Sequence, residues 1–251
     1  MKELYASGRY LFALAVIAFG IIQLVTGQFL SSLLPIDPTF PAKTFLLYMI
    51  STVFVVGGLG LIPAANARRM ALLLGLFFFG LFIYPHIVRF ATGHITDPGE
   101  WTVAFETLAF CGGALIIAAD NNKPDEPRFP KLLREGNFLF AISLLVFGIQ
   151  HFLYARYIAT LIPSWIPFPL FWAWFVGVAF VISCACFLIN RRTRFIASFM
   201  GIMYLVWVFV LHGVRVVKTP SEEKEWTSLF IALGFSGIFF AIARKPDRKG
   251  L

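Results

Sequence analysis

Cysteine is scarce: Cys111, Cys184 and Cys186 are the only three in 251 residues. Cys184 and Cys186 stand two positions apart in an apolar run, and on a helix such side chains point about 200° apart, a poor arrangement for a mutual disulfide. All three are read as small buried hydrophobes. Other signatures are missing as well. There is no glycine-rich phosphate loop, no Cys/His spacing for zinc and no serine-nucleophile elbow, so no metal site is expected from the chain's own motifs. Extended polar sequence is confined to one stretch, DNNKPDEPRFPKLLRE at residues 120–135. The first apolar run lacks a clear A-x-A cleavage site, so it reads as a permanent helix rather than a signal peptide.

What is abundant is apolar sequence. With 59% hydrophobic residues and a mean hydropathy of +0.81, the composition excludes a water-soluble domain. A helix of about 20 residues spans a ~30 Å hydrocarbon core. Eight such runs are expected near residues 8–29, 43–63, 69–91, 101–119, 136–157, 169–189, 195–217 and 226–243. The net charge of +8 is accounted for by topology, with no nucleic acid required. Of the 21 basic residues, 15 fall with the two termini and the second, fourth and sixth connections; the other 6 are Lys43, Arg89, Arg156, Arg215, Lys218 and Lys224. By the positive-inside rule both termini are cytoplasmic and the chain is a multi-pass protein of the cell membrane.

The second half repeats the first. Residues 8–23 (GRYLFALAVIAFGIIQ) align with residues 136–151 (GNFLFAISLLVFGIQH), 128 positions on. The same shift lays Leu34-Pro35 over Ile162-Pro163 and Phe40-Pro41 over Phe168-Pro169. The offset then drifts to 126, matching His86-x-x-Arg89 with His212-x-x-Arg215, and to 125, matching Glu100-Trp101-Thr102 with Glu225-Trp226-Thr227. The expected architecture is all-α: eight transmembrane helices as two parallel four-helix repeats, residues 1–119 and 136–251, joined by the 120–135 linker on the cytoplasmic side. Because each repeat has four helices, both start on the same side and are related by an axis along the membrane normal. The proline-rich outer connections are expected to be stiff caps, and Trp101, Trp165, Trp172, Trp174 and Trp226 to form an interfacial belt.

Polar side chains inside the apolar runs are the candidate site. At ~1.5 Å of rise per residue, Gln23, His86, Arg89, Glu106, His151, His212 and Arg215 all fall in the outer third of the membrane. Ionisable groups at such depth are costly and by default functional, and one level suggests one polar chamber open to the outside. Arg89 and Arg215, near helix ends, either line it or snorkel to the interface. His86 and His212 share a helix face with them, as ligand-binding or as packing histidines. Glu106 is the most demanding group, because a carboxylate there needs a cation, a donor or a proton. Its mate in the second half is Ile231, and that of His151 is Gln23. Glu106 and His151 are therefore the candidate catalytic pair, with His86, Arg89, His212, Arg215 and Gln23 as ligand-binding residues.

The second half carries a further pattern. A first helix ending F-G-I-x-H-F (Phe147, Gly148, Ile149, His151, Phe152) is followed by a P-x-x-I-P loop (Pro163, Ile166, Pro167). A W-x-x-x-x-G stretch (Trp172, Gly177) comes next. This arrangement resembles the DoxX-like superfamily of four-helix membrane proteins. The first half is a weaker copy, and the fused double repeat departs from the family's usual single unit. The resemblance implies a membrane four-helix fold. It also implies relatives of two kinds: quinone-linked thiosulfate oxidoreductase subunits and assembly factors for other membrane proteins.

Three functions fit these residues. A quinone headgroup would accept hydrogen bonds from His and Arg, with Glu106 exchanging protons, in an oxidoreductase or its subunit working with a partner redox or membrane protein. Alternatively, His86 and His212 would be axial ligands of a haem, with Arg89 and Arg215 near its propionates. The third is a non-enzymatic carrier, receptor or assembly factor that holds a lipid or a partner helix in the chamber.

Overall fold

The computed structural model describes residues 2–36, 41–119 and 130–244, and among them the only regular structure is helix. Eight helices are long and apolar enough to cross a membrane. They are α1 (Glu3–Thr26), α2 (Lys43–Leu61), α3 (Ala64–Ala91), α4 (Pro98–Ala118), α5 (Lys131–Leu153), α6 (Pro169–Leu188), α7 (Thr193–Lys218) and α8 (Glu223–Ala243). Their ends follow local chemistry. Gly27, at φ 65°, closes α1 by donating its N–H to the Gln23 carbonyl, the left-handed cap that glycine adopts without strain. Asp97 caps α4 by accepting the Gly99 N–H at 2.8 Å, and Pro98 occupies the first turn. Pro169 opens α6 in the same way.

α1 packs along α2 and α8, α5 along α6 and α4, α3 along α4, and α7 along α8. α4 and α8 also meet each other, so these two are the central helices. Their small residues permit it. Gly237 of α8 lies against the α1 backbone so closely that a Cβ there would stand 2.6 Å from the Gly8 carbonyl oxygen. Gly112 of α4 meets α5 likewise, a Cβ standing 2.8 Å from the Gly136 carbonyl oxygen. Without a hydrophobic drive between helices in lipid, such close backbone approach is a main source of cohesion. The core between them is aromatic: Phe19, Phe54, Phe78, Phe110, Phe140, Phe235 and Phe239 are fully buried, with Phe19–Phe110 and Phe78–Phe110 ring centroids 5.2 Å apart. Outward-facing Leu76, Phe195 and Val217 remain exposed, as lipid-facing side chains must.

Several boundaries differ from the sequence expectation. α5 begins at Lys131 and ends at Leu153, where 136–157 was expected, so the last residues of the polar linker are helical. The chain breaks at Tyr154 and continues as a separate short helix, Ala155–Thr160. The first span is entered by a short helix, Lys2–Ala6, with a break at Ser7 before Gly8–Thr26, and α3 starts about one turn early, at Ala64, because an amphipathic end with Arg68 and Arg69 extends the helix beyond its apolar run. Linker residues 120–129, Phe40, and five of the basic residues counted for topology (Lys123, Arg128, Lys245, Arg248 and Lys249) lie outside the described residues. No disulfide joins the cysteines among the described residues; Cys111 and Cys184 are buried.

The start of α1 lies beside the end of α8: a Cβ on Gly8 would stand 2.7 Å from the Ala241 nitrogen. Both ends of the bundle therefore share one face. Reporter fusions after Leu251 and within 120–129 should give the same sidedness, and the basic-residue asymmetry predicts a cytoplasmic signal from both. A periplasmic or extracellular signal from either fusion would refute this orientation.

Candidate functional site

At the opposite face, two corners are built alike. α3 carries His86 and Arg89 on its last turns, and α4 returns with Glu100 in its first turn; Arg89 and Glu100 form an ion pair. In the second half α7 carries His212 and Arg215, α8 returns with Glu225, and Arg215 Nη2 donates to Glu225 Oε1 at 2.7 Å. Each turn is then pinned by a tryptophan. Trp101 Nε1 donates to the Ile95 carbonyl at 2.7 Å and Trp226 Nε1 to the Pro220 carbonyl at 2.9 Å. Glu100 and Glu225 were not among the candidate residues. The signal was present in the repeat alignment, which matched both glutamates along with the tryptophans. The two arginines thus each carry a carboxylate partner.

Removing one member of a largely buried ion pair strands the other charge. Side-chain exposure is 31% for Arg89 and 9% for Glu100, so solvent screens part of the pair, and the expected cost is about 1–3 kcal/mol. Glu100→Gln should lower the thermal transition of the detergent-purified protein, and Arg89→Gln should add little in the Glu100→Gln background. Additive losses would refute direct coupling.

The histidines differ in surroundings. His86 follows Pro85, a proline inside α3 that interrupts its hydrogen-bond ladder. It is 1% exposed, and neither ring nitrogen has a hydrogen-bond partner among the described residues. His212 is half-buried in a π-helical segment of α7, Val208–Gly213, and its Nδ1 also has no partner. Such π-segments occur often at functional sites; no periodicity in the sequence marked this one. His151 sits two residues from the end of α5, further out than the expected boundary implied. Its Nδ1 lies 2.8 Å from the Phe147 carbonyl oxygen, and its ring meets the Phe180 ring edge-on at 5.1 Å. Its Cβ fills the space over Gly177, where a Cβ would stand 2.9 Å away. Gln23, its repeat mate, is fully buried with both amide atoms unpartnered.

Glu106 lies where the two halves meet. Phe110 touches Phe235 across α4 and α8 at 5.8 Å, and Gly113 receives Ile238. The members of each pair are 125 residues apart, and one turn further out the same spacing joins Glu106 to Ile231. Glu106 is half-buried and makes no ion pair among the described residues. It is within electrostatic reach of Tyr204 on α7 and Lys224 on α8. Tyr204 packs on Phe180 at 6.2 Å, and Phe180 on His151. Phe180 and Tyr204, neither of them singled out in the sequence, thus form an aromatic contact that runs from His151 toward Glu106. Among the described residues no group of three His, Cys, Asp or Glu side chains is arranged to hold a metal ion.

No family model, curated protein or solved structure matches the chain.

Proposed function

We propose that this membrane protein binds a small lipophilic ligand of the quinone class, its ring against the Phe180–Tyr204 wall and its oxygens facing Glu106 and His151. The observation that carries the reading is Glu106, a carboxyl in a membrane span at the junction of the two halves, with no ion-pair partner among the described residues. A quinone ring is flat and apolar on its faces and accepts hydrogen bonds at two oxygens. An aromatic wall flanked by protonatable groups is complementary to it. In a redox-linked role a partner membrane protein would supply electrons, while Glu106 would deliver or collect the accompanying protons.

We also propose membership of the DoxX-like superfamily, as two fused four-helix units. Support comes from residues of the pattern that touch: Trp172 Nε1 donates to the Pro167 carbonyl at 3.1 Å, and His151 and Gly148 of α5 both close on Gly177 of α6 or its backbone. Matched packing supports the duplication. α1 on α8 corresponds to α5 on α4, the Gly8–Gly237 approach to Gly136–Gly112, and one ion-paired corner to the other.

Purified protein in lipid nanodiscs should carry an endogenous quinone in its organic extract, and a short-chain quinone should quench tryptophan fluorescence saturably. An extract without quinone and no saturable quenching would reject this reading in favour of a carrier, receptor or assembly factor. A Soret band in the purified protein that is lost in His86→Ala and in His212→Ala would instead assign these histidines to a haem.

A further inference from the structure

The two halves differ on the opposite face of the bundle. Between α3, α4 and α5 a groove of about 640 Å³ opens near the shared terminal face. Its walls include Leu72, Gly75, Cys111 and Leu115, and its end is flanked by Arg134 and Glu135. The repeat-related cleft, between α7, α8 and α1, is filled. Phe240, in the position of Leu115, drives its ring over Gly201, the mate of Gly75, where a Cβ would stand 2.6 Å from the ring. Tyr5 reaches across in the position of Leu133, accepting a hydrogen bond from Ser198 Oγ at 2.9 Å where the first half has Leu72. Ser236, in the position of Cys111, donates to the Gly201 carbonyl at 2.8 Å. Two aromatic plugs and two hydroxyl clasps are thus replaced in the first half by leucines and a thiol. The result is an apolar trough where its mate is closed.

We propose that this groove holds an acyl chain of a phospholipid whose headgroup carries both a phosphate and a primary ammonium, with Arg134 on the phosphate and Glu135 on the ammonium. The groove borders spanning helices, and its Leu76 and Phe138 walls are exposed, so what reaches it comes from the hydrocarbon layer. Its size lies within the roughly 300–1,000 Å³ of small-molecule sites. The charges choose the headgroup. A guanidinium recruits phosphate, but a neighbouring carboxylate disfavours a purely anionic lipid and favours one that also presents an ammonium. Hydrogen-bonding ammonium protons distinguish this from a choline headgroup. This inference is independent of the ligand at Glu106.

Native mass spectrometry of the full-length protein, delipidated in detergent and titrated with phosphatidylethanolamine, phosphatidylglycerol or phosphatidylcholine, tests it. Phosphatidylethanolamine should bind with one preferred adduct. Leu115→Phe, which copies the Phe240 plug, should reduce that adduct about tenfold. Arg134→Gln, at an exposed position, should weaken both phosphatidylethanolamine and phosphatidylglycerol, and so keeps the test decisive if Leu115→Phe fails to fold. Glu135→Gln should abolish the preference between them. Unchanged binding in Leu115→Phe or Arg134→Gln would overturn the site, and a wild-type preference for phosphatidylglycerol or phosphatidylcholine would overturn the headgroup assignment.

Discussion

Glu106→Gln should leave the protein folded and weaken binding of a quinone-class ligand about three- to tenfold, the worth of a neutral hydrogen bond at roughly 0.5–1.5 kcal/mol, since a quinone oxygen accepts from the protonated carboxyl. The substitution keeps the shape of the side chain and removes its exchangeable carboxyl proton. Glu106 is on α4 at the meeting line with α8, one turn outward of Phe110, so an amide of equal size should disturb neither the aromatic core nor the helix. Ile231→Val, at the repeat-related position, should change neither binding nor folding beyond the roughly 0.5–1.5 kcal/mol of a lost methylene. Binding is read by tryptophan quenching with a short-chain quinone, and folding by gel filtration and thermal transition. Should Glu106→Gln bind like the wild type, the proton-handling role is wrong. Glu106 is then a structural partner of Tyr204 and Lys224, the groups within its electrostatic reach.

The second large effect is on stability. Gly237→Ala places a Cβ 2.6 Å from the Gly8 carbonyl oxygen and 2.7 Å from the Phe12 nitrogen. Both obstacles are backbone, so no side chain can swing aside and α1 must move off α8. Overpacking of this kind costs about 1–3 kcal/mol, and rigid backbone puts this site at the upper end. Gly112→Ala should behave alike, since its Cβ would meet the Gly136 oxygen at 2.8 Å and the Phe140 nitrogen at 2.9 Å. The control has the opposite sign. Gly80 on α3 has open space where its Cβ would be, so Gly80→Ala should be neutral or should stabilise by up to about 1 kcal/mol through helix propensity alone. Thermal transitions in one detergent decide it. A Gly237→Ala protein as stable as Gly80→Ala would mean that the α1–α8 contact is looser than described.

The candidate site was legible in parts. His86 with Arg89 and His212 with Arg215 stood out because a histidine and an arginine recur at one spacing in both halves, and helical rise placed them near one membrane face. Their glutamate partners were visible in the same alignment but lay at the starts of α4 and α8, where a carboxylate reads as an ordinary helix-end charge. Tyr204 carried no signal at all. It is one aromatic among 30 phenylalanines and 7 tyrosines, and only the packing of α7 on α8 brings it toward Glu106. The π-segment around His212 was equally silent, since a shift of hydrogen-bond register leaves no trace in apolar periodicity.

Composition by itself determined that the chain crosses a bilayer eight times. That property depends only on local length and hydropathy, and lipid compels each span to satisfy its backbone internally. Where α5 starts and stops was not determined so, because helix continues past the apolar run as long as polar residues can extend it into water. Tertiary structure alone decided which helices are central. Gly112, Gly113, Gly234 and Gly237 look like helix-weakening residues in sequence, and only the close approach of another backbone at Gly112 and Gly237, and of the Ile238 and Phe110 side chains at Gly113 and Gly234, turns them into contact points. It also decided that one cleft is plugged and its mate open. Leu115 and Phe240 are both simply apolar residues on a span, and the volume difference between them matters only where Gly75 or Gly201 leaves room opposite.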